Sequence, residues 1–377
     1  MIRFHKPYAL AHSKKYIMDV LDSGRTEGDG EYTKKCQSWL KSKLGFDNLL
    51  LMTSGTHALE CACQCLNLSS TDEVIMPSYN FPSAANAVLL AGGKIVFSEV
   101  EHRHLMLDPA RIEEKITAHT KAILVIHYGG FLADMESIME IARRHQLQVI
   151  EDSAQCFLNP TQREPKDFGD YICYSFHGTK DVVCGEGGAL FVKDHERYAY
   201  AKRFRHKGTN RDEFLQGHVA FYEWTDLGSS YSPSELLMAL LYGQLEQSHI
   251  IVQKNREIFA RYQQYFEEKR YAHVSFSQED ATTKTNGHTF YLLFEDVADA
   301  RAFKSHMMLH DIDVRSHFVP LSNSHMANQH VAISTFTSNE EQTLGERLIR
   351  LPIYPDLDRA SIQKIQLCCD YFWGGVQ

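Results

Sequence analysis

No C-x-x-C pair occurs in the sequence, although it carries nine cysteines, at positions 36, 61, 63, 65, 156, 173, 184, 368 and 369. An odd number of thiols without paired spacing supports neither a disulfide framework nor a zinc ribbon. Cys61, Cys63 and Cys65 look metal-like, but they fall in a segment that reads as helical, where positions two apart face different ways. They are expected to be small buried thiols. Positive charge is also scarce. Lys and Arg total 39 against 48 Asp and Glu, a formal net charge of −9, which disfavours a nucleic-acid partner. Long apolar runs are missing: the longest, about 84–97, contains Lys94 and two glycines and is too short to cross a bilayer. The first fifteen residues lack the uninterrupted apolar stretch of a signal peptide. No membrane insertion and a reducing, cytoplasmic setting are therefore expected. The 20 histidines are scattered, with no H-x-x-x-H on a segment read as helical, so no metal site is expected.

What is present is enough chain, 377 residues, for about two domains. Seven short apolar runs, 48–52, 73–76, 94–99, 121–127, 147–151, 171–176 and 189–192, read as strands buried on both faces. Amphipathic stretches at 56–66, 81–91, 109–117 and 135–146 read as helices between them. Alternation of this kind predicts an α/β fold with a mostly parallel central sheet flanked by helices. Beyond about residue 235 the pattern changes to long helical stretches, 233–266 and 339–351, around a strand at 289–294. This predicts a large domain over 1–240 and a smaller C-terminal α+β domain over 241–377.

Ligands of open α/β sheets sit beyond the carboxyl ends of the strands. Four such ends are informative. Thr53-Ser54-Gly55-Thr56 leads into a helix whose free N–H groups and positive dipole end suit a phosphate, an ordinary N-cap being the alternative. The second end, Glu151-Asp152-Ser153-Ala154-Gln155, pushes acid out of an apolar run, so a cation or proton partner is needed there. Ser175-Phe176-His177-Gly178-Thr179-Lys180, followed by Gly185-Glu186-Gly187-Gly188, sets a lysine in a polar, glycine-rich loop after a buried strand. Desolvation lowers the pKa of such an amine and makes it a candidate Schiff-base former, and Ser175 can offer a hydroxyl to phosphate. Finally, Tyr79 and Phe81 could stack on a flat ring. A phosphate cradle, a carboxylate for a ring nitrogen, an aromatic plate and an amine together meet the needs of pyridoxal 5'-phosphate, PLP. The Gly185–Gly188 run precedes a strand and opens no βα unit, which argues against a dinucleotide fingerprint.

Over residues 24–245, and more weakly to the C-terminus, the chain resembles the DegT/StrS-type sugar aminotransferases, fold-type I PLP enzymes. The matching segments are TEGDGEYTKKCQSWL, DEVIMPSYNFPSAANAVL, VIEDSAQ, YSFHGTK, GEGGAL, HKGTNR and LGSSYSPSEL. Within the family it looks most like the branch of dTDP-4-amino-4,6-dideoxygalactose transaminases of enterobacterial common antigen synthesis. The resemblance implies that Lys180 holds the cofactor and shuttles the proton, Asp152 pairs with the pyridinium nitrogen, and Gln155 contacts the phenolic oxygen. It also implies that Gly55, Thr56 and Ser175 hold the phosphate and that Phe81 covers the ring. A homodimer with shared sites is implied too, in which Ser230, within the Gly228–Tyr231 segment, reaches the partner's cofactor phosphate. Many members carry Asn where Ser230 stands and Arg where Ser232 stands. The substrates implied are L-glutamate as amino donor and a nucleotide-linked 4-keto-6-deoxyhexose. A dehydratase branch has histidine in place of the lysine, so Lys180 argues for transamination. Arg203, Arg205, Lys207 and Arg211 are further candidates for binding the anionic substrates.

Overall fold

The computed structural model describes residues 1–8, 11–163, 167–329, 333–334 and 339–374. Its strands are β1 (Leu49–Met52), β2 (Glu73–Pro77), β3 (Lys94–Ser98), β4 (Thr120–Ile126), β5 (Gln148–Asp152), β6 (Tyr171–Ser175), β7 (Gly188–Val192), β8 (Val274–Phe276), β9 (Phe290–Phe294), β10 (Arg315–Ser316), β11 (Ile333–Ser334) and β12 (Leu348–Leu351). The first seven are the strands expected from the apolar runs. β1, β6 and β7 are buried at every position, which is why they read as continuous apolar runs without alternation. The large sheet runs β1-β7-β6-β5-β4-β2-β3-β11, and a second sheet runs β10-β12-β9-β8. From β11 to β6 the large sheet is parallel, and β7 is antiparallel to both its neighbours. The small sheet is antiparallel throughout. The fold is thus α/β with a mostly parallel central sheet, as expected.

The helices are α1 (Ala11–Ser23), α2 (Glu31–Leu44), α3 (Gly55–Cys65), α4 (Pro82–Leu90), α5 (Met135–His145), α6 (His195–Arg205), α7 (Arg211–Leu215), α8 (Glu235–Glu246), α9 (Ser248–Lys269), α10 (Val297–Leu309), α11 (His325–Gln329), α12 (Asn339–Gln342), α13 (Leu344–Arg347) and α14 (Arg359–Gly374). Ser54 caps α3 by accepting from the His57 N–H, Pro82 occupies the first turn of α4, and Asp134 caps α5. The N-terminus of α2 is capped from far away. Glu235 on α8 accepts from the N–H groups of Gly30, Tyr32 and Thr33 at 3.0, 2.7 and 3.0 Å.

Three expectations are corrected. Residues 109–117 form two 3₁₀ turns, Pro109–Arg111 and Glu113–Lys115, instead of a helix, and Ile112 is the one side chain there driven fully into the core. A single apolar anchor does not define a helix face. The 233–266 stretch is broken at Gln247 into α8 and α9. Residues 339–351 give α12, α13 and β12, because Leu348–Leu351 is captured between β9 and β10, and long-range pairing overrides the local period. All nine cysteines are buried and unpaired, Cys61, Cys63 and Cys65 on α3 itself, in the cluster that also holds Ala84, Val88 and Phe97.

Candidate active site

The carboxyl ends of β1, β2, β4, β5 and β6 open on one cleft of about 1080 Å³, walled on the far side by β12, the segment around β10 and residues 1–5. Seven of the eight expected site residues line it: Gly55, Thr56, Phe81, Asp152, Gln155, Ser175 and Lys180. Ser230 does not. It is exposed outside its own chain's cleft, its backbone bridged to His206.

At one end of the cleft, α3 starts two residues after β1 and presents the N–H groups of Gly55 and Thr56, which have no protein acceptor among the described residues, while that of His57 is taken by Ser54 Oγ. Gly55 is required there by contact: a Cβ would stand 2.7 Å from Ser175 Cβ. Gly188 has the same need, since a Cβ would meet the Ser54 carbonyl oxygen at 2.4 Å. These approaches bring β6, β7 and the α3 N-terminus together, with the hydroxyls of Thr56 and Ser83 2.8 Å apart beside them. Phe81, the residue before α4, is 56% exposed and faces the cleft, 5.9 Å from the Phe318 ring centre.

Asp152 ends β5. One carboxylate oxygen accepts from the Ala154 N–H at 2.9 Å, and the other has no protein partner among the described residues. Burial pushes this carboxyl up, and the Ala154 N–H and the Lys180 charge oppose that only in part. Gln155 Oε1 accepts from the Gly129 N–H at 2.9 Å, which fixes the amide so that its NH₂ is the group left to donate. Lys180 lies in the turn after β6, its backbone N–H on the His177 carbonyl, and its ammonium has no hydrogen bond or ion pair among the described residues. Burial pushes the amine down, the Asp152 and Asp181 charges resist, and Arg350 adds to the fall. An amine of lowered pKa, a lone carboxylate oxygen, an amide donor and a helix N-terminus fit the aldehyde, pyridine nitrogen, phenolic oxygen and phosphate of PLP.

Several cleft residues carried no sequence signal. His317 is in the cleft with Nδ1 3.2 Å from the Tyr128 hydroxyl, and burial together with Arg350 and Lys180 keeps it neutral. Asp181 is held by Asn255 at 2.8 Å and by His288 at 3.0 Å. Behind Asp152, Glu151 points to the opposite face of β5 and is fully buried among His127 at 2.7 Å and both Arg163 Nη atoms at 2.8 and 2.9 Å. Because His127 Nδ1 accepts from the Ala133 N–H, its Nε2 carries the hydrogen to Glu151. The acid pair at the strand end was legible. That its two members face different ways follows from the pleat.

The basic candidates of residues 203–211 are not brought to the cleft. Arg205 is buried on the Leu51 carbonyl and Asp29, Arg211 also pairs with Asp29, and Arg203 pairs with Glu213. Lys207 is exposed at a positive φ of 65°. His306, on α10, and His310, the residue that ends it, stand four positions apart at a helix not foreseen. Each is engaged with a carbonyl, of Cys368 and of His306 respectively. Among the described residues no three His, Cys, Asp or Glu side chains group as metal ligands, and no helix is long and apolar enough to cross a membrane.

The DegT/DnrJ/EryC1/StrS aminotransferase family model matches residues 8–368. A GDP-perosamine synthase of Escherichia coli O157:H7 is 27% identical over 97% of this chain and 96% of its own length. Among solved structures, DesV of S. venezuelae superposes with a TM-score of 0.89 at 25% identity, covering 100% of this chain and 99% of its own. NtdA of Bacillus subtilis, solved with the cofactor PMP, superposes with a TM-score of 0.87 at 20% identity over 99% of this chain and 86% of its own. The chain belongs to the DegT/DnrJ/EryC1/StrS family and is a PLP-dependent sugar aminotransferase.

Proposed function

We propose that the protein transfers the amino group of L-glutamate to C4 of a nucleotide-linked 4-keto-6-deoxyhexose, dTDP-4-dehydro-6-deoxy-D-glucose. The product is dTDP-4-amino-4,6-dideoxy-galactose or -glucose, supplied to a surface polysaccharide such as O-antigen or enterobacterial common antigen. The observation that carries this reading is Lys180, an amine without a hydrogen-bond or ion-pair partner among the described residues, in the same cleft as Asp152. PLP, when bound, supplies the electron sink at its protonated pyridine. The chain's own groups do the rest. The Gly55 and Thr56 end of α3 and the Ser175 hydroxyl bind the phosphate, and Phe81 covers one ring face. The free Asp152 oxygen keeps the ring nitrogen protonated, and the Gln155 amide donates to the phenolic oxygen. Lys180 removes the proton from the donor's α-carbon and later delivers one to a single face of the sugar's C4. The face chosen decides between galacto and gluco products.

Ser230 serves the partner subunit's phosphate in a homodimer with shared sites, and its position outside its own cleft is what such sharing requires. The similarity to a GDP-perosamine synthase favours a second reading, in which the nucleotide is GDP and the sugar a GDP-linked 4-keto hexose. The experiment is an absorption spectrum of the protein with PLP, before and after glutamate, for wild type and Lys180→Ala, then amine transfer to dTDP- and GDP-linked 4-keto sugars. A near-visible band that collapses with glutamate in the wild type and never forms in the variant supports transamination. Turnover of the GDP sugar alone selects the second reading. A band that no amino donor discharges overturns both.

A further inference from the structure

Tyr231 follows the exposed Ser230 and is itself buried. Its ring stacks on the His57 imidazole, with centres 4.2 Å and planes 12° apart, and its hydroxyl donates to Glu60, both on α3. Its carbonyl accepts from the Thr53 N–H at 3.1 Å, and its own N–H donates to the Arg205 carbonyl at 3.1 Å. Arg205 in turn donates from Nε to the Leu51 carbonyl in β1 at 2.7 Å. Thr53 and His57 bracket the turn of Gly55 and Thr56, and the Thr53 hydroxyl is bonded to His57 Nδ1. Tyr231 therefore touches both ends of the turn that we propose holds the phosphate.

The residues before Tyr231 have little freedom to move apart from it. The Ser229 N–H donates to the Phe204 carbonyl at 2.7 Å, and the Lys207 N–H donates to the Ser229 carbonyl at 2.8 Å. A Cβ on Gly228 would stand 1.9 Å from the Gly208 nitrogen, so the two stretches lie backbone against backbone. A turn gripped by ring, hydroxyl and main chain moves with Tyr231 as one body, and Ser230 is peptide-bonded to it. An anion drawn to the α3 N-terminus fixes the turn, and the order reaches Ser230 outside its own chain's cleft. We infer that Tyr231 is a positioning residue that couples the two cofactor-phosphate sites of a dimer: filling one cradle sets the Ser230 hydroxyl that completes the other. A site completed in advance binds its phosphate at a smaller ordering cost, so PLP binding is cooperative. The coupling rests on the shared-site reading above, in which Ser230 serves the partner subunit's phosphate.

The test is a titration of PLP into the cofactor-stripped full-length protein, followed by the near-visible band, with light scattering at the same concentrations to give the oligomeric state. The wild type is expected to bind as a dimer with a Hill coefficient above about 1 and at most about 2, the ceiling for two sites. Ser230→Ala, at an exposed position, removes the last link and should make binding non-cooperative. Tyr231→Phe keeps the ring stack and loses the Glu60 bond, whereas His57→Ala loses the stack. Each should lower the Hill coefficient and weaken PLP binding by roughly 2- to 10-fold, the loss of about one hydrogen bond. Tyr231→Phe combined with Ser230→Ala should lose no more cooperativity than Ser230→Ala alone. A Tyr231 that only supported the fold would lower the melting temperature and leave the Hill coefficient as it is. A wild-type dimer that binds PLP non-cooperatively overturns the coupling and leaves the shared-site reading standing, as does a dimer in which Tyr231→Phe and His57→Ala both keep the wild-type coefficient. A wild-type monomer that binds PLP overturns the shared-site reading and the coupling with it, as does a Ser230→Ala dimer of unchanged affinity and cooperativity.

Discussion

Glu151 and Asp152 are neighbours on one strand with opposite tendencies. Burial pushes Asp152 up, so that a cationic ring nitrogen relieves it. Burial would push Glu151 up as well, but the His127 hydrogen bond and the Arg163 charge overcome it and hold the carboxyl at about 2. A carboxyl depressed in the folded state stabilises the fold above its ordinary range and loses that contribution as pH falls toward 2. Urea midpoints measured from pH 5 to pH 2 should therefore show about 3 kcal/mol of acid-dependent loss from this one group. Glu151→Gln should lack that component. At pH 7 the variant should be less stable by about 3–5 kcal/mol, because Arg163 remains buried without its partner. The Asp152 carboxylate, which we propose faces the cofactor, thus sits beside a second one that is held wholly by protein groups.

At the level of elements, the active site is a matter of how closely β6 can approach the start of α3. Gly55→Ala places a methyl carbon 2.7 Å from Ser175 Cβ. It should cost about 1–3 kcal/mol by overpacking. It should also weaken PLP binding, because the helix end and the serine hydroxyl are pushed apart. Thermal melting gives the first effect and a PLP titration of the near-visible band the second, and an unchanged affinity would contradict the phosphate role of this turn. The strands that carry these residues were legible in the sequence because they are buried on both faces and read as unbroken apolar runs. Lys180 and Asp152 were legible because each follows such a run. The turns at 109–115 and β12 were not, since one depends on a single buried Ile112 and the other on pairing with β9, whose residues lie more than fifty positions away. Arg350 was hidden for the same reason: its strand forms only by pairing with β9 and β10, and it reaches the cleft only once the small sheet has docked on the large one. Gln155 and Ser230 took their roles from the family resemblance, whereas Phe81, with Tyr79, stood out as a ring-stacking aromatic at a strand end.

For the molecule as a whole, we propose the two-domain division at 240/241. That position lies inside α8, whose Met238, Ala239 and Leu241 pack with α2 residues, and the chain changes partners after Gln247. Leu215, Phe221, Trp224 and Leu227 are 65, 73, 80 and 63% exposed in the segment leading to Ser230. Apolar side chains this exposed and this close in sequence fit a surface covered by a second copy. If the proposed homodimer uses this face, Trp224→Glu should shift the protein toward monomer in light scattering and lower activity. A dimer that persists would place the interface elsewhere. The large sheet also has a history built into its strand order. β1, the first strand made, has only β7 beside it among the described residues, and β7 lies roughly 140 residues later in the chain. At ribosomal speeds of about 5–20 residues per second, the four apolar residues of β1 wait roughly 7 to 30 s for their ladder. For that interval the nascent chain displays an unpaired apolar edge, open to off-pathway pairing until residue 192 has been made.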